Sequence, residues 1–272
     1  MSIIEKALDK KARTGGSTAH PQSVSEASRD KPLIRAGLSS FLESQGFKLS
    51  TVEFKQYQEE LRHIKRPLLK TAAGLGADVI ENGNVLMVVS AREGEGKTFT
   101  ATSLALSIAM EKDKTVLLVD ADTERSALSK VFAIDDKPGM VDYLLGEVGE
   151  LSDVIYNTEL SNFKILPAGK YGRASSELFS SANMQGLMKE ISARYYDRIV
   201  VMDLPPLLMT SESVVLAGMD GQIVMVVESG SKQLDIKDAI GLLDQSKTIG
   251  LVLNKSRTGS RLYSYGAPAS EG

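Results

Sequence analysis

One segment restricts the possible folds of this chain more than any other: an apolar run followed by a glycine-containing loop and a helical pattern. Residues 85–90 (VLMVVS) are apolar up to the final serine, as in a strand that is buried on both faces. The loop 91–96 (AREGEG) follows, and residues 98–110 then repeat apolar side chains at helical spacing. A strand, a glycine loop and a helix in this order predict an α/β fold with a ligand at the carboxyl end of that strand.

The alternation of strand and helix patterns continues along most of the chain. Short apolar, β-branched runs predict further strands at 115–120, 162–166, 198–203, 222–227 and 249–253, and helical patterns lie between them, notably at 183–194 and 234–243. This alternation predicts a doubly wound, mostly parallel sheet, and the glycine loop followed by Lys97 and Thr98 after the first strand makes it the sheet of a P-loop NTPase. We place that domain at residues 51–256, with residues 51–82 as its helical lead-in.

The loop before the helix fits most of the phosphate-binding pattern G-x-x-x-x-G-K-[ST], with Ala91 in place of the first glycine. Gly94 and Gly96 free the backbone around Glu95 so that successive N–H groups can face phosphate oxygens. Lys97 is then predicted to reach the β- and γ-phosphates, and the Thr98 hydroxyl to bind Mg²⁺. The alternative is a simple glycine turn before a helix.

Three aspartates follow predicted strands at the edge of the sheet where this loop lies. Asp120 and Asp122 come at the end of the 115–120 strand, and Asp203 ends the 198–203 strand. Ligands of open α/β sheets bind at the carboxyl ends of strands, and three carboxylates there would repel a triphosphate unless a cation intervenes. Mg²⁺, which one or two carboxylates hold together with phosphates and water, is the predicted cation. Each aspartate taken singly could instead cap a helix or a turn.

Composition excludes several classes of protein. Among 272 residues, 32 Lys and Arg against 35 Asp and Glu give a net charge of −3, which argues against a nucleic-acid partner. Cysteine is absent and there are two histidines, which excludes disulfides, thiolate catalysis and histidine-rich metal centres. Because no apolar run approaches the roughly 18 residues that span a bilayer, we expect a cytoplasmic protein.

Both ends of the chain differ in amino-acid composition from the middle. Residues 1–50 are interpreted as a short N-terminal helix and a flexible linker, and residues 257–272, rich in Ser, Gly and Ala, as a disordered tail. The lead-in carries a helical pattern at 53–70, with a boundary or kink expected at Pro67. Its residues Glu59, Arg62 and Arg66 share one face, either as solvated ion pairs or as a subunit contact.

These motifs together resemble the bacterial protein-tyrosine kinases of exopolysaccharide synthesis, specifically the autokinases of exosortase-type systems. Residues 90–98 are similar to the family's Walker A loop, 116–122 to its second Walker-type motif, and 199–203 with Pro205-Pro206 to its Walker B strand. Asn254 resembles the residue that contacts adenine, and we add Phe99, next to Thr98, to the predicted nucleotide contacts. Glu59, Arg62 and Lys65 match the oligomerisation motif E-x-x-R-x-x-R except for the final Lys, which makes the subunit contact the preferred interpretation of that helix.

The resemblance implies an ATP- and Mg²⁺-dependent tyrosine autokinase that forms a homo-oligomer and acts with a membrane-bound polysaccharide chain-length protein, at the inner membrane through that partner. Lys97, Asp120 and Asp122 would be catalytic, with Asp120 orienting the tyrosine hydroxyl and with Thr98, Asp122 and Asp203 holding the metal. Tyr263 and Tyr265 in the tail are the predicted acceptors, reached in trans. The alternative is a nucleotide-switched partition or positioning ATPase without kinase activity, although Arg92 replaces the signature Lys of that class.

Overall fold

The centre of the molecule is a mostly parallel sheet, seen in a computed structural model that describes residues 33–76, 80–170, 176–193 and 197–256. Within those residues seven strands pair in the order β3-β4-β2-β5-β1-β6-β7, and β3–β4 is the antiparallel pair. The strands are Val85–Ser90 (β1), Thr115–Asp120 (β2), Tyr156–Asn157 (β3), Phe163–Leu166 (β4), Arg198–Asp203 (β5), Gln222–Glu228 (β6) and Ile249–Asn254 (β7). The predicted fold class is confirmed.

Helices cover both faces of this sheet. In the described residues they are Leu38–Ser44 (α1), Thr51–Ala72 (α2), Lys97–Ala109 (α3), Ala127–Val131 (α4), Met140–Leu144 (α5), Ser176–Phe179 (α6), Ala182–Ala193 (α7), Ser211–Ala217 (α8) and Gln233–Gly241 (α9). One core joins α1, α2 and α3 to the sheet, and a second core joins α7, α8 and α9 to the opposite face. Because both faces are covered, the central strands read as continuous apolar runs.

The six strands expected from the sequence lie within one residue of the observed bounds. The seventh, β3, has two residues and pairs antiparallel to β4 through Tyr156 and Asn157. A strand of that length carries no periodicity from which it could be predicted. It lies at the edge of the sheet, away from the glycine loop, so the site is unaffected by it.

Helix α2 starts at a capping box and continues past its proline. The Ser50 N–H donates to Glu53 Oε2 over 2.8 Å, and the Glu53 N–H donates to Ser50 Oγ over 3.3 Å. The boundary or kink expected at Pro67 does not end the helix, which reaches Ala72. Pro67 is exposed, as is His63 four residues earlier, so the carbonyl that loses its helical partner lies on the outer side.

The packed domain begins before residue 51, which corrects the boundary predicted at residue 50. Leu38, Phe41 and Leu42 of α1 are buried in the core that α1 shares with α2 and α3. The rings of Phe41 and Phe47 lie 5.5 and 5.3 Å from that of Phe99. These apolar residues bury a helix that the sequence analysis assigned to the linker. Within the described residues, no helix is long and apolar enough to cross a bilayer.

Candidate nucleotide and phosphoryl-transfer site

The glycine loop takes a backbone conformation that its two glycines make possible. Gly94 and Gly96 have φ angles of +81° and +93°, in the left-handed region that favours glycine. A Cβ on Gly96 would lie 2.1 Å from Asn254 Nδ2, so this position also excludes side chains sterically. The loop leads directly into the N-terminus of α3, where backbone N–H groups and the helix dipole favour an anion.

Residues from the end of β7 hold the loop on one flank. Asn254 Nδ2 donates to the Glu95 carbonyl over 2.9 Å. Lys255 Nζ donates to the Gly94 carbonyl over 2.7 Å and to Glu228 Oε1 over 3.0 Å. Asn254, which was predicted to contact adenine, therefore lies against the loop, and its amide group fixes the loop backbone.

Two residues of the loop itself, Glu95 and Arg92, also bond to other parts of the chain. Glu95 is buried; its Oε2 accepts from the Arg92 N–H over 2.9 Å, and its Oε1 accepts from Ser231 Oγ over 2.7 Å. The Arg92 guanidinium donates to both carboxylate oxygens of Asp235, over 2.7 and 3.0 Å. These hydrogen bonds lower the pKa of Asp235. Arg92, at the position of a signature Lys in the positioning ATPases, is thus paired with α9 of its own chain.

Lys97 lies between two of the predicted carboxylates. Its Nζ is 2.7 Å from Asp122 Oδ2 and 3.4 Å from Asp203 Oδ1, and Thr98 Oγ1 donates to Asp203 Oδ2 over 2.6 Å. All three charged groups are buried. Burial disfavours the ammonium, but attraction to Asp203 and Asp122 outweighs it and raises the pKa of Lys97. Burial raises the pKa of Asp203 against the opposing attraction of Lys97.

Asp120 is the last residue of β2, and both of its carboxylate oxygens accept hydrogen bonds from the same chain. Oδ2 accepts from the Ser129 N–H over 2.8 Å and from Ser129 Oγ over 2.6 Å, and Oδ1 accepts from the Asp122 N–H over 3.2 Å. Burial, reinforced by the negative charge of Asp203, raises the pKa of Asp120 to about 7. This geometry suits a group that positions Asp122, whereas direct contact of Asp120 with a tyrosine stays a prediction.

The oxygen donors fit a magnesium ion that arrives with phosphate. Asp122 and Asp203 both contact Lys97 Nζ, and Thr98 Oγ1 donates to Asp203; hydroxyl and carboxylate oxygens are the ligands that Mg²⁺ accepts. Within the described part of the chain, no group of three or more His, Cys, Asp or Glu could hold a metal by itself. Mg²⁺ is commonly bound by one or two carboxylates and by substrate phosphates.

A cleft lies beyond the ends of β2 and β5, which are on the other side of β1 from β6 and β7 in the strand order. Residues 123–124, after Asp122, form one wall, and residues 205 and 209–212, after Asp203, form the other. The cleft has a volume of about 330 Å³. We refer to it below as the carboxylate-side cleft.

The remaining predicted site residues lie elsewhere. The ring of Phe99 packs against those of Phe41, Phe47 and Tyr57, and its centroid lies 6.3 Å from that of Tyr57. Phe99 therefore belongs to the aromatic packing between α1, α2 and α3. Tyr263 and Tyr265 lie outside the described residues.

The three residues of the oligomerisation motif are divided between two faces of α2. Arg62 donates to Glu59 on the exposed face. Lys65 is buried; its Nζ donates to the Ser107 carbonyl over 2.7 Å and lies 2.6 Å from Glu111 Oε1. Leu61 and Leu68, at i−4 and i+3 from Lys65, are also buried, and this spacing was a signal in the sequence that residue 65 faces inward.

Comparison with known proteins identifies the domain. The AAA domain family matches residues 83–255. The tyrosine-protein kinase CpsD of Streptococcus agalactiae is 34% identical over 179 residues, which cover 64% of this chain and 76% of that protein.

Two solved structures show the same architecture. The kinase domain of the Escherichia coli tyrosine kinase ETK superposes with a TM-score of 0.59 at 30% identity, covering 68% of this chain and 73% of that one. The septum site-determining protein MinD of Pyrococcus horikoshii, solved with Mg-ADP, gives 0.50 at 27% identity, covering 65% and 72%. The AAA-domain match and the similarity to CpsD place this chain in the family of bacterial tyrosine-protein kinases.

Proposed function

We propose that the protein is an ATP-dependent tyrosine autokinase that regulates exopolysaccharide synthesis or export. The observation that carries the proposal is the buried cluster of Lys97, Asp122 and Asp203, with Thr98 beside it, at the end of the glycine loop. The similarity to CpsD and to the ETK kinase domain supports tyrosine as the acceptor.

The loop and α3 hold the triphosphate in this proposal. Backbone N–H groups of residues 94–98 face the phosphate oxygens, and Lys97 exchanges its carboxylate partners for the β- and γ-phosphates. Thr98, Asp122 and Asp203 hold Mg²⁺, which neutralises charge on the phosphates when it is bound. Glu95 and Asn254 keep the loop backbone in place through their contacts with Arg92 and with each other.

The sequence predicts that Asp120 orients the incoming tyrosine; in this proposal Asp122 takes that role, because both carboxylate oxygens of Asp120 accept hydrogen bonds from its own chain. The tyrosine oxygen forms a bond to the γ-phosphorus, the bond from that phosphorus to the bridging oxygen of ADP breaks, and the phenolic proton passes to an Asp122 oxygen. Asp120 positions Asp122 by accepting its backbone N–H. In this proposal, placement of the tyrosine hydroxyl against the γ-phosphorus contributes more to the transfer than proton abstraction does.

The acceptors are Tyr263 and Tyr265 of a neighbouring subunit. Two of the described tyrosines are poorly placed to accept phosphate: burial raises the pKa of Tyr57 to about 12, and the Tyr156 hydroxyl donates to the Pro138 carbonyl. The tail sequence is polar and contains glycine, a composition that offers little apolar surface to bury in its own domain. Within an oligomer its effective concentration at that site is high.

The proposed setting is the cytoplasmic side of the inner membrane, where the kinase binds a membrane-bound chain-length protein. The exposed face of α2 around Glu59 and Arg62 is the proposed contact between subunits.

The alternative is a nucleotide-switched positioning ATPase, and one observation favours it: the MinD structure shares the fold. Such an enzyme would transfer phosphate only to water. The pairing of Arg92 with Asp235 of the same chain gives that residue a role unrelated to a signature Lys.

Phosphotyrosine detection after incubation with Mg·ATP tests the proposal. We expect autophosphorylation in the wild type, its loss in Lys97→Ala, and loss of most of it in Tyr263→Phe with Tyr265→Phe. Tyr143→Phe is the matched control and should retain the signal. A size-tagged Lys97→Ala chain mixed with wild type should become phosphorylated, which shows transfer in trans. Hydrolysis of ATP without any phosphotyrosine in the wild type would contradict the proposal and support the positioning ATPase.

A further inference from the structure

The carboxylate-side cleft opens directly beside the groups proposed to perform the transfer. Thr123 follows Asp122, and Pro205 lies two residues after Asp203. The segment after Asp203 is tied to the start of the glycine loop, because the Leu207 N–H donates to the Ser90 carbonyl over 2.8 Å and the Leu208 N–H to the Ala91 carbonyl over 3.1 Å. The segments that line the cleft are therefore continuous with the strand ends and the loop that carry the Lys97 cluster, and Asn254 is not among the lining residues.

The walls of this cleft combine apolar and acidic surface. Pro205 and Met209 form the apolar part, and Met209 is 53% exposed. Glu124 is exposed on one wall, and Glu212 is half-buried on the other, 3.2 Å from Ser176 Oγ. A thioether and a proline ring suit an aromatic ring, and two carboxylates at the rim suit a cation.

The tail sequence contains both of these chemical groups, an aromatic ring and a cation, two residues apart. Its sequence from residue 261 is Arg-Leu-Tyr-Ser-Tyr, so Arg261 precedes Tyr263 by two positions. In an extended peptide, residues i and i+2 point to the same face and lie about 7 Å apart. An extended tail can therefore direct Tyr263 toward the Lys97 cluster while Arg261 reaches the acidic rim.

We propose that the carboxylate-side cleft selects acceptor tyrosines that have a basic residue two positions before them, through Glu124 and Glu212. This inference rests on the proposed kinase function and adds the specificity of its acceptor site. Tyr263, preceded by Arg261, is the preferred acceptor, and Tyr265 is the weaker one.

The same geometry sets the order of the two transfers. When Tyr265 is the acceptor, the residue two positions before it is Tyr263. After the first transfer that residue carries about −1.5 to −2 charges, and it would face Glu124 and Glu212. The second transfer is therefore disfavoured, and tails phosphorylated once, on Tyr263, accumulate first.

A time course of phosphate at each tyrosine, measured by peptide mass spectrometry on the full chain, tests this selection. In the wild type, early phosphate on Tyr263 should exceed that on Tyr265 by about fivefold, the upper range for an exposed ion pair. In Glu212→Arg, Glu124→Arg and Arg261→Glu the ratio should fall toward one. Glu147→Arg, an exposed acidic residue outside the cleft, is the matched control and should keep the wild-type ratio.

Two further measurements separate selection from a loss of folding. Glu212→Arg combined with Arg261→Glu should restore the preference for Tyr263, because the charges are exchanged. With the tail peptide as substrate, Glu212→Arg should raise the KM for the peptide and leave the KM for ATP unchanged. A site ratio that stays at its wild-type value in all three cleft and tail variants, while phosphotyrosine forms normally, would overturn this inference and leave the kinase proposal intact. Absence of phosphotyrosine in the wild type would overturn the kinase proposal itself.

Discussion

The two flanks of the glycine loop use their polar side chains differently. On the β7 flank, Asn254, Lys255 and Ser231 bond to the loop or to its buried Glu95. On the opposite flank, the carboxylate-side cleft exposes Glu124 and Met209 to solvent. The first flank fixes one backbone shape, as a nucleotide of constant structure requires. In the proposed kinase, the second flank would leave room for a peptide whose sequence can vary.

The largest expected effect is that of a side chain at Gly96, because the loop lies closest to Asn254 of the β7 flank at this residue. Gly96→Ala combines a left-handed φ with a clash against Asn254, and we expect about 2–3 kcal/mol lower unfolding free energy together with weaker ATP binding. Gly94→Ala, where the Cβ would meet open space, should lose about 1–2 kcal/mol from φ alone. Urea unfolding and calorimetric titration with ATP would measure both. Equal losses in the two variants would show that Asn254 does not constrain the loop.

Asp120, which belongs to neither flank, should make the unfolding free energy depend on pH. Its pKa of about 7 lies above the ordinary value of 3.8. Between these two pH values the folded protein keeps a proton on Asp120 that the unfolded chain has already lost. The unfolding free energy should therefore fall as pH rises, by about 1 kcal/mol between pH 6 and pH 8. The pKa of Asp203 is also raised and acts in the same direction, whereas the raised pKa of Lys97 acts above pH 10. Urea titrations at several pH values should show this slope reduced in Asp120→Asn and unchanged in Glu147→Gln; an unchanged slope in Asp120→Asn would assign it to other groups.

A pair of serines compares the flanks directly. Ser231→Ala removes a hydrogen bond to buried Glu95 and should cost about 1 kcal/mol, with weaker ATP binding. Ser211→Ala, on the cleft flank, removes contacts of an exposed hydroxyl and should leave ATP binding unchanged. Thermal unfolding and ATP titration of the two variants provide the test. The contrast between the flanks would fail if Ser211→Ala weakened ATP binding as much as Ser231→Ala.

The smallest effect on stability is expected outside both flanks, on the exposed face of α2. Changing Glu59 and Arg62 together to Ala removes an i,i+3 ion pair worth about 0.5 kcal/mol at most. The oligomeric mass, measured by light scattering on unphosphorylated protein, should nevertheless fall. Lys55→Ala, an exposed change elsewhere on α2, is the control. An unchanged mass in the double variant would make this face an ordinary solvated surface.

The sequence was sufficient for the central sheet and for the loop because both are encoded locally. Strands such as Val85–Ser90 are buried on both faces, so burial requires an apolar residue at nearly every position. The loop requires glycine where φ is positive, and Lys97 and Thr98 must follow it at the start of α3. These requirements can be recognised in the sequence without knowing which segments of the chain contact each other in the fold.

The remaining contacts join residues that are distant in sequence. Arg92 pairs with Asp235, 143 residues later, and nothing near either residue indicates the other. The bond between Ser231 and Glu95, which are 136 residues apart, is of the same kind. Lys65 could have been placed correctly from its spacing to Leu61 and Leu68, but its match to a motif suggested the opposite face.

The ammonium of Lys97 is shared by two buried carboxylates, and in the proposed kinase this arrangement would link the binding of the nucleotide to the binding of Mg²⁺. When a phosphate draws Lys97 Nζ away from Asp122 and Asp203, those carboxylates lose a positive charge that they both contact. Their repulsion in a water-poor interior then raises the affinity of the site for a divalent cation. By reciprocity, the cation raises the affinity for the nucleotide by the same factor, so neither dissociation constant of this site is defined until the concentration of the other ligand is stated.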